Sequence, residues 1–350
     1  MTAATRVAQA LRTEDFDYDL PPEFIAQKPV EPRDSAKLMV LDRNTGTITH
    51  AIFRDLGRFL RPGDVLVVNR TRVLPARLWA RKIPTGGRVE LLLLKQETPM
   101  VWQAMVRGRG LVPGKRLQIQ GGPEAEIVEV LEGPVRRVRF QRPVHQWLFQ
   151  AGQVPLPPYI REKLEDPERY QTIFAREPGS VAAPTASLHF TPQLVKRLQG
   201  QGIRFAEVTL HIGLDTFAPV KEEDPRQHKM HREWCRLDPE TADLLNRVRE
   251  EGGRIVAVGT TAVRTLETAA LHAPPGRVVA PFEGETDLFI LPGHVFKAVD
   301  ALITNFHLPR STLLMLVSAF AGREFILRAY EEAKHHGYRF FSFGDAMLIL

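Results

Sequence analysis

Hydrophobic and polar positions form distinct blocks towards the C-terminal end of the chain. An apolar run at residues 301–303 stops at a polar stretch that contains Asn305 and His307, and an almost wholly apolar segment follows from Leu313 onward. Ser311 stands where it can cap that segment as a helix, and a helix that is apolar on every side is a buried helix. The pattern predicts a buried strand, a polar turn and a buried helix, a junction at which open α/β sheets bind ligands. The alternative is a capped helix whose histidine is only structural.

The same succession of strand, polar turn and helix recurs along much of the chain. Short apolar runs predict the strands, and cap signals such as Thr191 followed by Pro192 delimit the helices. The predicted strands are residues 64–69, 205–212 and 255–258, and the predicted helices are residues 191–200, 238–251, 262–270 and 311–321. This alternation predicts an α/β domain.

A segment of a different kind interrupts these units, with short strands separated by turns rich in Gly and Pro. Its six predicted strands are residues 76–83, 88–97, 101–107, 116–119, 125–131 and 135–141. Evenly spaced short strands predict a small barrel. The predicted fold is therefore α/β: an α/β core domain of strand–helix units, residues 1–72 and 155–350, interrupted by an inserted small antiparallel β-barrel domain, residues 73–154.

The distribution of charge gives this inserted segment a possible partner. The whole chain of 350 residues has a net charge of +6, but residues 70–142 carry 15 Lys or Arg against 6 Glu and no Asp, a local charge of +9. Concentrated positive charge favours an anionic partner, and a nucleic acid is the partner that we expect. The alternative is a solvated barrel surface.

The cysteine content and the N-terminal sequence bear on the compartment. Cys235 is the only cysteine, so no internal disulfide can form, and this favours a reducing compartment. The early acidic residues argue against a signal peptide, and the predicted helix at 311–321 is too short to span a membrane. We expect a cytoplasmic protein with no membrane partner.

Three strand–turn–helix junctions share one design, and we call them elbows. They are residues 183–191, 258–264 and 304–311, each with a turn rich in Thr, Asn or His and free of acidic side chains. Helix N-termini with free N–H groups and hydroxyl side chains bind carboxylates and phosphates. Together the elbows predict a pocket for a ligand that carries a carboxylate or a sugar.

Several familiar cofactor signatures are absent. The segment Gly108–Lys115 resembles a phosphate-binding P-loop only superficially, because its spacing is wrong and Arg116 stands where Ser or Thr is needed. No G-x-G-x-x-G follows a strand, so neither a dinucleotide fold nor a typical Rossmann methyltransferase is supported.

Two further groups of residues have catalytic potential. His228, His231 and Cys235 resemble a metal site, but the ligand spacing of known zinc motifs is missing, so we expect no metal and favour a base or a recognition pair. The acidic cluster of Glu283, Glu285 and Asp287 is a candidate general base, and its alternative is a solvated hairpin turn.

Long phrases of the sequence resemble one enzyme family. They are residues 68–77, 155–160, 169–172, 179–185, 188–191, 208–211, 257–261, 303–320 and 339–347. These phrases closely resemble S-adenosylmethionine:tRNA ribosyltransferase-isomerase of the queuosine pathway, from about Phe16 to Leu350.

The resemblance implies a specific reaction. The ribosyl group of S-adenosylmethionine is transferred and isomerised onto 7-aminomethyl-7-deazaguanine at the wobble position of tRNA, which gives epoxyqueuosine and releases adenine and methionine. It implies no cofactor, since S-adenosylmethionine is consumed as co-substrate. The implied partners are S-adenosylmethionine and tRNA carrying 7-aminomethyl-7-deazaguanine in the anticodon, and we expect a monomer.

The reaction assigns expected roles to polar residues of the chain. The candidate proton carriers are His189, His211, His228, His231 and His307. The candidate substrate-binding residues are Thr185, Thr260, Thr261, Arg264, Glu285, Thr304, Asn305, Arg310 and Ser311. The candidate tRNA-binding residues are Arg70, Arg72, Arg136, Arg137, Arg139 and Tyr159.

Two positions depart from the pattern of the family, and two other functions remain open. Asp215 stands where small residues or Gly are usual, and His294 where an aromatic is common. The alternatives are a tRNA-binding protein without catalysis, and an atypical methyltransferase that uses the same co-substrate.

Overall fold

The computed structural model describes residues 11–213 and 219–350, and these contain a large mixed sheet, a closed barrel and six α-helices. In chain order the strands are β1 (Lys37–Asp42), β2 (Thr47–Ile52), β3 (Val65–Asn69), β4 (Thr71–Val73), β5 (Arg77–Ile83), β6 (Arg88–Gln96), β7 (Val101–Arg107), β8 (Arg116–Ile119), β9 (Glu124–Val130), β10 (Val135–Phe140), β11 (Glu177–Ser180), β12 (Arg204–Leu210), β13 (Glu233–Leu237), β14 (Ile255–Val258), β15 (Phe282–Thr286), β16 (Ala301–Asn305) and β17 (Ala346–Ile349). The α-helices are α1 (His145–Ala151), α2 (Pro192–Gly200), α3 (Pro239–Glu250), α4 (Thr260–Leu271), α5 (Thr312–Ala321) and α6 (Arg323–His335).

The large sheet has nine strands in the order β15-β13-β12-β3-β14-β16-β17-β1-β2. Its four adjacent strands β12, β3, β14 and β16 are parallel, and the strands at both sides add antiparallel pairs. Strands β3 and β14 are buried along their whole length, which is why they read as continuous apolar runs.

Helices cover both faces of this sheet. Val65 and Val67 of β3 pack in the cluster that includes residues of α3, α4, α5 and α6. Leu66 and Val68 point to the other face, where the cluster includes Leu194 of α2. Both faces of the central strands are therefore buried, as in an α/β fold.

Six antiparallel strands close the barrel in the order β10-β7-β6-β5-β8-β9. Their residues alternate between a buried interior, which includes Leu91, Ala104 and Ile127, and an outward face. All six predicted strands agree with the structure to within about one residue at either end, a normal uncertainty for element boundaries. The predicted fold class is confirmed; the boundaries at residues 73 and 154 stay a prediction.

The direction of the parallel strands determines where a ligand can bind. Strands β12, β3, β14 and β16 end at Leu210, Asn69, Val258 and Asn305, all at one edge of the sheet. Because β17 runs antiparallel to β16, the residues just before Ala346 reach the same edge. Ligands of open α/β sheets bind outside this carboxyl edge.

The structure also contains elements that the sequence patterns did not predict. They are the hairpin β1–β2, the strands β4, β11, β13, β15 and β17, and the helices α1 and α6. Within the described ranges, no helix is both long enough and apolar enough to cross a membrane.

Candidate active site

Residues of all three elbows meet in one cleft at the carboxyl edge of the parallel strands, and we call it the elbow cleft. Its lining consists of Tyr159, Ala183, Pro184, Thr185, Ala186, Ile212, Gly259, Thr260, Thr261, Thr304, Asn305, Phe306, His307, Leu308, Leu313, Phe341 and Ser342. Six of the expected catalytic and substrate-binding residues belong to this lining: Thr185, Thr260, Thr261, Thr304, Asn305 and His307. Among the described residues of the lining there is no acidic side chain, so this part of the cleft suits a ligand with an anionic group.

His307 is the only histidine among the residues that line the cleft. Its Nε2 lies 2.8 Å from Thr304 Oγ1, and its backbone N–H donates to the Tyr330 hydroxyl at 2.9 Å. The side chain has almost no solvent exposure, and this burial lowers the pKa of His307 to about 3. The imidazole is therefore neutral at physiological pH.

The tautomer of His307 follows from its neighbour. The Thr304 hydroxyl is 3.3 Å from the carbonyl oxygen of Asn305 and can donate its proton there. In that arrangement His307 Nε2–H donates to Thr304 Oγ1, and Nδ1 keeps its lone pair. Among the described residues, His307 Nδ1 makes no hydrogen bond.

Asn305 connects the third elbow to the segment before β17. Its Oδ1 lies 3.0 Å from His189 Nε2, and its Nδ2 donates to the carbonyl oxygen of Phe341 at 2.8 Å. His189 does not line the cleft; it is buried behind Asn305, and burial lowers the pKa of His189 to about 4. The structure thus places His189 where it orients Asn305 through a hydrogen bond.

The second elbow presents the N-terminus of α4 to the cleft. Gly259 precedes the helix with φ 91°, a conformation that favours glycine, and its N–H donates to Ile303 O at 2.7 Å. Thr260 and Thr261 open the helix, and Thr261 Oγ1 accepts a hydrogen bond from Asn69 Nδ2 at 3.1 Å. Gly259 has no side chain to cap the first N–H groups of α4, and the residues that carry two of these groups, Thr260 and Thr261, line the cleft.

Two aromatic rings form another wall of the cleft. The centroids of Tyr159 and Phe341 are 4.9 Å apart with an interplanar angle of 53°. Tyr159 Oη lies 2.7 Å from Ser342 Oγ, which fixes the ring, and burial raises the pKa of Tyr159. Phe341 has φ 69°, and a bulky residue in the left-handed region is typical of a functional or strained site. Tyr159, a candidate tRNA-binding residue, thus lies in the lining of the elbow cleft, and its contact with the tRNA stays a prediction.

The other histidines of the sequence-based set lie outside the cleft lining. His211 Nδ1 is 2.8 Å from Thr71 Oγ1, and its ring stacks on Trp234 with the centroids 5.1 Å apart. Burial lowers the pKa of His211. His228 Nδ1 lies 2.9 Å from Glu222 Oε2, and His231 is exposed before β13.

Two candidate substrate-binding residues, Arg264 and Arg310, form ion pairs within the protein. Arg264 is buried in an ion pair with Glu233 and donates from Nε to Leu288 O at 3.1 Å. Arg310 is half exposed, and its Nε donates to Asp17 Oδ2 at 2.7 Å. Neither belongs to the described lining of the cleft, so their role in substrate binding stays a prediction.

Ser311, Glu285 and Cys235 also have structural contacts. Ser311 Oγ accepts from Leu314 N at 3.1 Å, which confirms it as the N-cap of α5, and it does not line the cleft. Glu285 lies on β15, rather than in a turn, and accepts from Lys95 Nζ of the barrel at 2.7 Å. Cys235 is fully buried on β13, and burial raises its pKa to about 11. In the described ranges, His228, His231 and Cys235 do not form a metal-ligand cluster.

Most arginines of the expected RNA-binding set are paired with carboxylates. Arg70 contacts Glu177 and Asp238, Arg72 contacts Glu168, Arg137 contacts Glu97 and Glu129, and Arg139 contacts Glu126. Arg136 donates to three backbone carbonyls instead. These contacts reduce the charge that the set presents to an RNA.

Other barrel cations have no such partner, and we call four of them the tip patch: Arg81, Lys82, Arg88 and Arg109. Arg81 and Arg88 are exposed and face each other across β5 and β6, and Lys82 Nζ donates to the backbone carbonyl of Arg109. In the described part of the chain, no carboxylate oxygen lies within 4.0 Å of these four side chains. The sequence shows the charge of these four cations. Only the structure shows that they lack a carboxylate partner, whereas Arg137 and Arg139 have one.

Of the two positions that depart from the family pattern, the structure describes only His294. Asp215 lies outside the described residues. His294 is half-buried, and its Nε2 lies 3.4 Å from Glu267 Oε2. Glu267 in turn accepts from the backbone N–H groups of Lys297, Ala298 and Val299, so His294 belongs to a structural network.

The chain is similar in sequence to known proteins of one family. A family model described as queuosine biosynthesis protein matches residues 13–349. The S-adenosylmethionine:tRNA ribosyltransferase-isomerase of Symbiobacterium thermophilum is 56% identical over 347 residues, covering 97% of this chain and 100% of that protein. The protein of the same name from Thermotoga maritima is 52% identical over 341 residues, with the same coverage.

A solved structure is also similar. The crystal structure of S-adenosylmethionine tRNA ribosyltransferase from Thermotoga maritima, at 2.00 Å resolution, has 44% sequence identity and a TM-score of 0.56. The match covers 96% of this chain and 100% of that one. The similarity therefore includes both the barrel and the α/β part.

Proposed function

Because the chain belongs to the queuosine biosynthesis protein family, we propose that it acts as an S-adenosylmethionine:tRNA ribosyltransferase-isomerase. It transfers and isomerises the ribosyl group of S-adenosylmethionine onto 7-aminomethyl-7-deazaguanine at the wobble position of tRNA. The products are epoxyqueuosine in the tRNA, adenine and methionine. The observation that carries the proposal is the convergence of three acid-free elbows in one cleft.

The cleft offers a distinct partner for each part of the sugar donor. The methionine carboxylate binds at the N-terminus of α4, where the N–H groups of Thr260 and Thr261 and the helix dipole favour an anion. The sulfonium cation lies against the rings of Tyr159 and Phe341. The hydroxyl of Thr185 and the other threonines of the lining bind the ribose hydroxyls.

His307 is the proposed base. A carbon beside a sulfonium is acidic, so His307 Nδ1 removes a proton from the ribose 5′ carbon, and the electron pair left there drives the expulsion of adenine. The aminomethyl nitrogen of the tRNA base then forms a C–N bond to the rearranged sugar and loses one proton to solvent. A sugar oxygen forms the C–O bond that closes the epoxide as methionine leaves with the electron pair of its C–S bond. Because burial disfavours the protonated imidazole, His307 passes the proton on readily to the departing adenine.

The proposed reaction balances without a redox step, so we propose that it needs neither a metal nor a flavin. We also propose that the enzyme is a monomer and works where tRNA is found, in the cytoplasm. Turnover should therefore be unaffected by EDTA, and mixing two inactive cleft variants should restore no activity.

The products of one incubation test the proposal. The protein is mixed with S-adenosylmethionine and an anticodon stem-loop RNA that bears 7-aminomethyl-7-deazaguanine. Adenine and methionine in equal amounts support the ribosyl transfer, whereas S-adenosylhomocysteine would identify a methyltransferase. Tight RNA binding without any turnover would identify a binding protein.

A variant pair tests the role of His307. His307→Gln removes the base and should lower kcat by a factor of about 100 or more. His272→Gln is the control, because His272 is exposed beyond the other end of α4, stacked on Phe282. Equal kcat values for both variants would remove His307 from the chemistry.

We further propose that the tip patch binds the phosphates of the tRNA outside the anticodon. The patch lies at the end of β5 and β6 that is opposite to Lys95, and Lys95 is the barrel residue that contacts Glu285 on β15. RNA that enters the elbow cleft would meet these cations along its stem. Phosphate contacts of this kind release counterions, so their loss is visible in the salt dependence of binding.

The paired arginines of the barrel supply a matched control. Arg81→Ala with Arg88→Ala should weaken RNA binding and reduce the slope of log Kd against log salt by about 1 to 2. Arg137→Ala with Arg139→Ala removes the same formal charge from the same barrel, but these side chains are already paired with Glu97 and Glu126. A larger effect of Arg137→Ala with Arg139→Ala would instead indicate that Arg137 and Arg139 bind the RNA.

A further inference from the structure

A group of potential metal ligands lies where the edge hairpin β1–β2 meets the end of α6. His50 projects from β2, while Glu332 and His336 stand four residues apart, on the last turn of α6 and just after it. Their ligand atoms all lie within 4.8 Å of one another. None of the three lines the elbow cleft, and the proposed reaction does not use them.

We propose that His50, Glu332 and His336 bind a divalent transition-metal ion of the zinc class. His50 Nε2 is 3.6 Å and His336 Nδ1 is 3.3 Å from Glu332 Oε1. Zinc binds nitrogen and oxygen at about 2.0–2.2 Å in tetrahedral geometry, which requires ligand atoms about 3.4 Å apart. The separations in the structure are therefore already close to those of a metal site.

The hydrogen bonds of His50 direct its free nitrogen towards Glu332. His50 Nδ1 lies 2.9 Å from Tyr338 Oη, and the Tyr338 hydroxyl can donate its own proton to Leu38 O at 3.3 Å. His50 Nδ1–H then donates to the Tyr338 oxygen, and Nε2 presents its lone pair. Metal-binding histidines are normally held by such a hydrogen bond on the other ring nitrogen.

His336 needs one local change before it can bind the ion. Its Nδ1 lies 3.0 Å from the backbone carbonyl oxygen of Glu332, so the metal replaces that hydrogen bond and the ring carries its proton on Nε2 instead. The His50 and His336 rings are stacked with centroids 4.1 Å apart, which keeps both imidazoles at the same carboxylate. Two imidazoles and one carboxylate suit Zn²⁺, Co²⁺ and Ni²⁺ better than Mg²⁺ or Ca²⁺.

The surroundings allow access but limit the affinity. The side chains of His50, Glu332 and His336 are 34%, 40% and 48% exposed, so an ion can enter from solvent and water can complete its coordination. Lys37 lies close by, because its Nζ donates to the carbonyl oxygen of His336 at 2.6 Å. This positive charge opposes a cation, so we expect micromolar rather than nanomolar binding.

A bound ion would connect two parts of the chain that are far apart in sequence. His50 belongs to β2 at one edge of the sheet, whereas Glu332 and His336 lie at the C-terminal end of α6. An ion that binds the folded chain in preference to the unfolded one raises its stability. The site would therefore fasten the edge hairpin to α6.

The experiment uses the full chain without an affinity tag, dialysed against EDTA. Zn²⁺ binding is measured by calorimetry, and Co²⁺ binding by the visible absorption that tetrahedral cobalt acquires. We expect one ion per chain and a rise in Tm with Zn²⁺. His50→Ala and His336→Ala should each lower the affinity by about tenfold or more and abolish the rise in Tm.

His335→Ala is the matched control, because His335 is exposed and adjacent to His336 but is not part of the cluster. Its Zn²⁺ affinity should equal that of the unchanged protein. The Tm of each variant without metal shows that it is folded, so a loss of binding cannot come from unfolding. The proposal is overturned if the unchanged protein binds no stoichiometric ion, or if binding survives both His50→Ala and His336→Ala.

Discussion

His189 Nε2 lies 3.0 Å from Asn305 Oδ1, and this contact controls which way the Asn305 amide faces. An amide oxygen only accepts, so the imidazole N–H donates and the Asn305 NH₂ group is left to face the carbonyl oxygen of Phe341. Phe341 carries one aromatic wall of the elbow cleft on a backbone with φ 69°. A buried histidine outside the cleft thus positions the cleft wall.

The first prediction concerns this positioning role of His189. His189→Leu removes the donor, and we expect kcat/KM for S-adenosylmethionine to fall by about tenfold or more, mainly through KM, because the sulfonium loses an ordered ring. His189→Gln keeps an N–H donor and should recover most of the loss. Steady-state kinetics across S-adenosylmethionine concentrations measure both values. A loss confined to kcat, with no recovery by Gln, would indicate that His189 transfers a proton.

The second prediction concerns stability in acid. Burial lowers the pKa of His307 to about 3 and that of His189 to about 4, whereas both titrate near 6.5 in the unfolded chain. Between about pH 4 and pH 6.5, these two histidines bind protons in the unfolded chain but not in the folded chain. Acidification below about pH 6.5 therefore destabilises the fold. Each histidine contributes a slope of up to about 1.4 kcal/mol per pH unit.

Urea unfolding between pH 5 and 8 measures this effect. Comparing the unchanged protein with His307→Gln and His189→Gln isolates each histidine from the exposed ones. Each variant should show a shallower loss of unfolding free energy on acidification. Parallel curves for all three proteins would show that the buried histidines are protonated in the folded state.

The third prediction tests whether Arg264 stabilises the fold or binds the substrate. Arg264→Met removes the cation of the buried ion pair with Glu233 and should reduce the free energy of unfolding by about 3 kcal/mol or more. Adding Glu233→Gln removes that charge but keeps an acceptor for the Gly213 N–H, which Glu233 Oε1 accepts at 2.7 Å. The double variant should therefore regain much of the stability and bind S-adenosylmethionine normally. A stable double variant that has lost this affinity would place Arg264 in contact with the substrate.

The fourth prediction concerns Cys235. The thiol is fully buried and its pKa is raised to about 11, so little thiolate forms at pH 8. Iodoacetamide should leave the native protein unmodified over a time in which the urea-unfolded chain is alkylated completely. Mass spectrometry of both samples measures the difference. Rapid modification of the native protein would show that β13 opens locally.

Local signals in the sequence were enough to predict the elbows and the barrel. The cap at Ser311 and the Gly–Thr–Thr turn at residues 259–261 are set by neighbours along the chain, and the structure confirms the helices that follow them. The barrel strands were equally clear, because Gly and Pro turns delimit each of them. Such features need no knowledge of distant contacts.

The residues that the sequence could not place depend on distant partners. Arg264 follows Glu233 by 31 positions, and nothing between them indicates an ion pair. Phe341 reaches the cleft only because β17 enters the sheet beside β16. Likewise, Arg137 and Arg88 look alike in the sequence, but the cross-strand register places Arg137 opposite Glu129 and Arg88 opposite Arg81.

The position of β17 has a consequence for the order of folding. Within the described chain, the hairpin β1–β2 joins the rest of the large sheet only through β17, since β1 pairs with β17 and β17 with β16. Strands β1 and β2 are among the first to be synthesised. However, β1 can form its hydrogen bonds to β17 only after β17, the last described strand, has been synthesised. Contacts of such long sequence separation slow folding and leave strand edges open meanwhile. During synthesis, the open edge of β1 is thus a place where the nascent chain needs protection from aggregation.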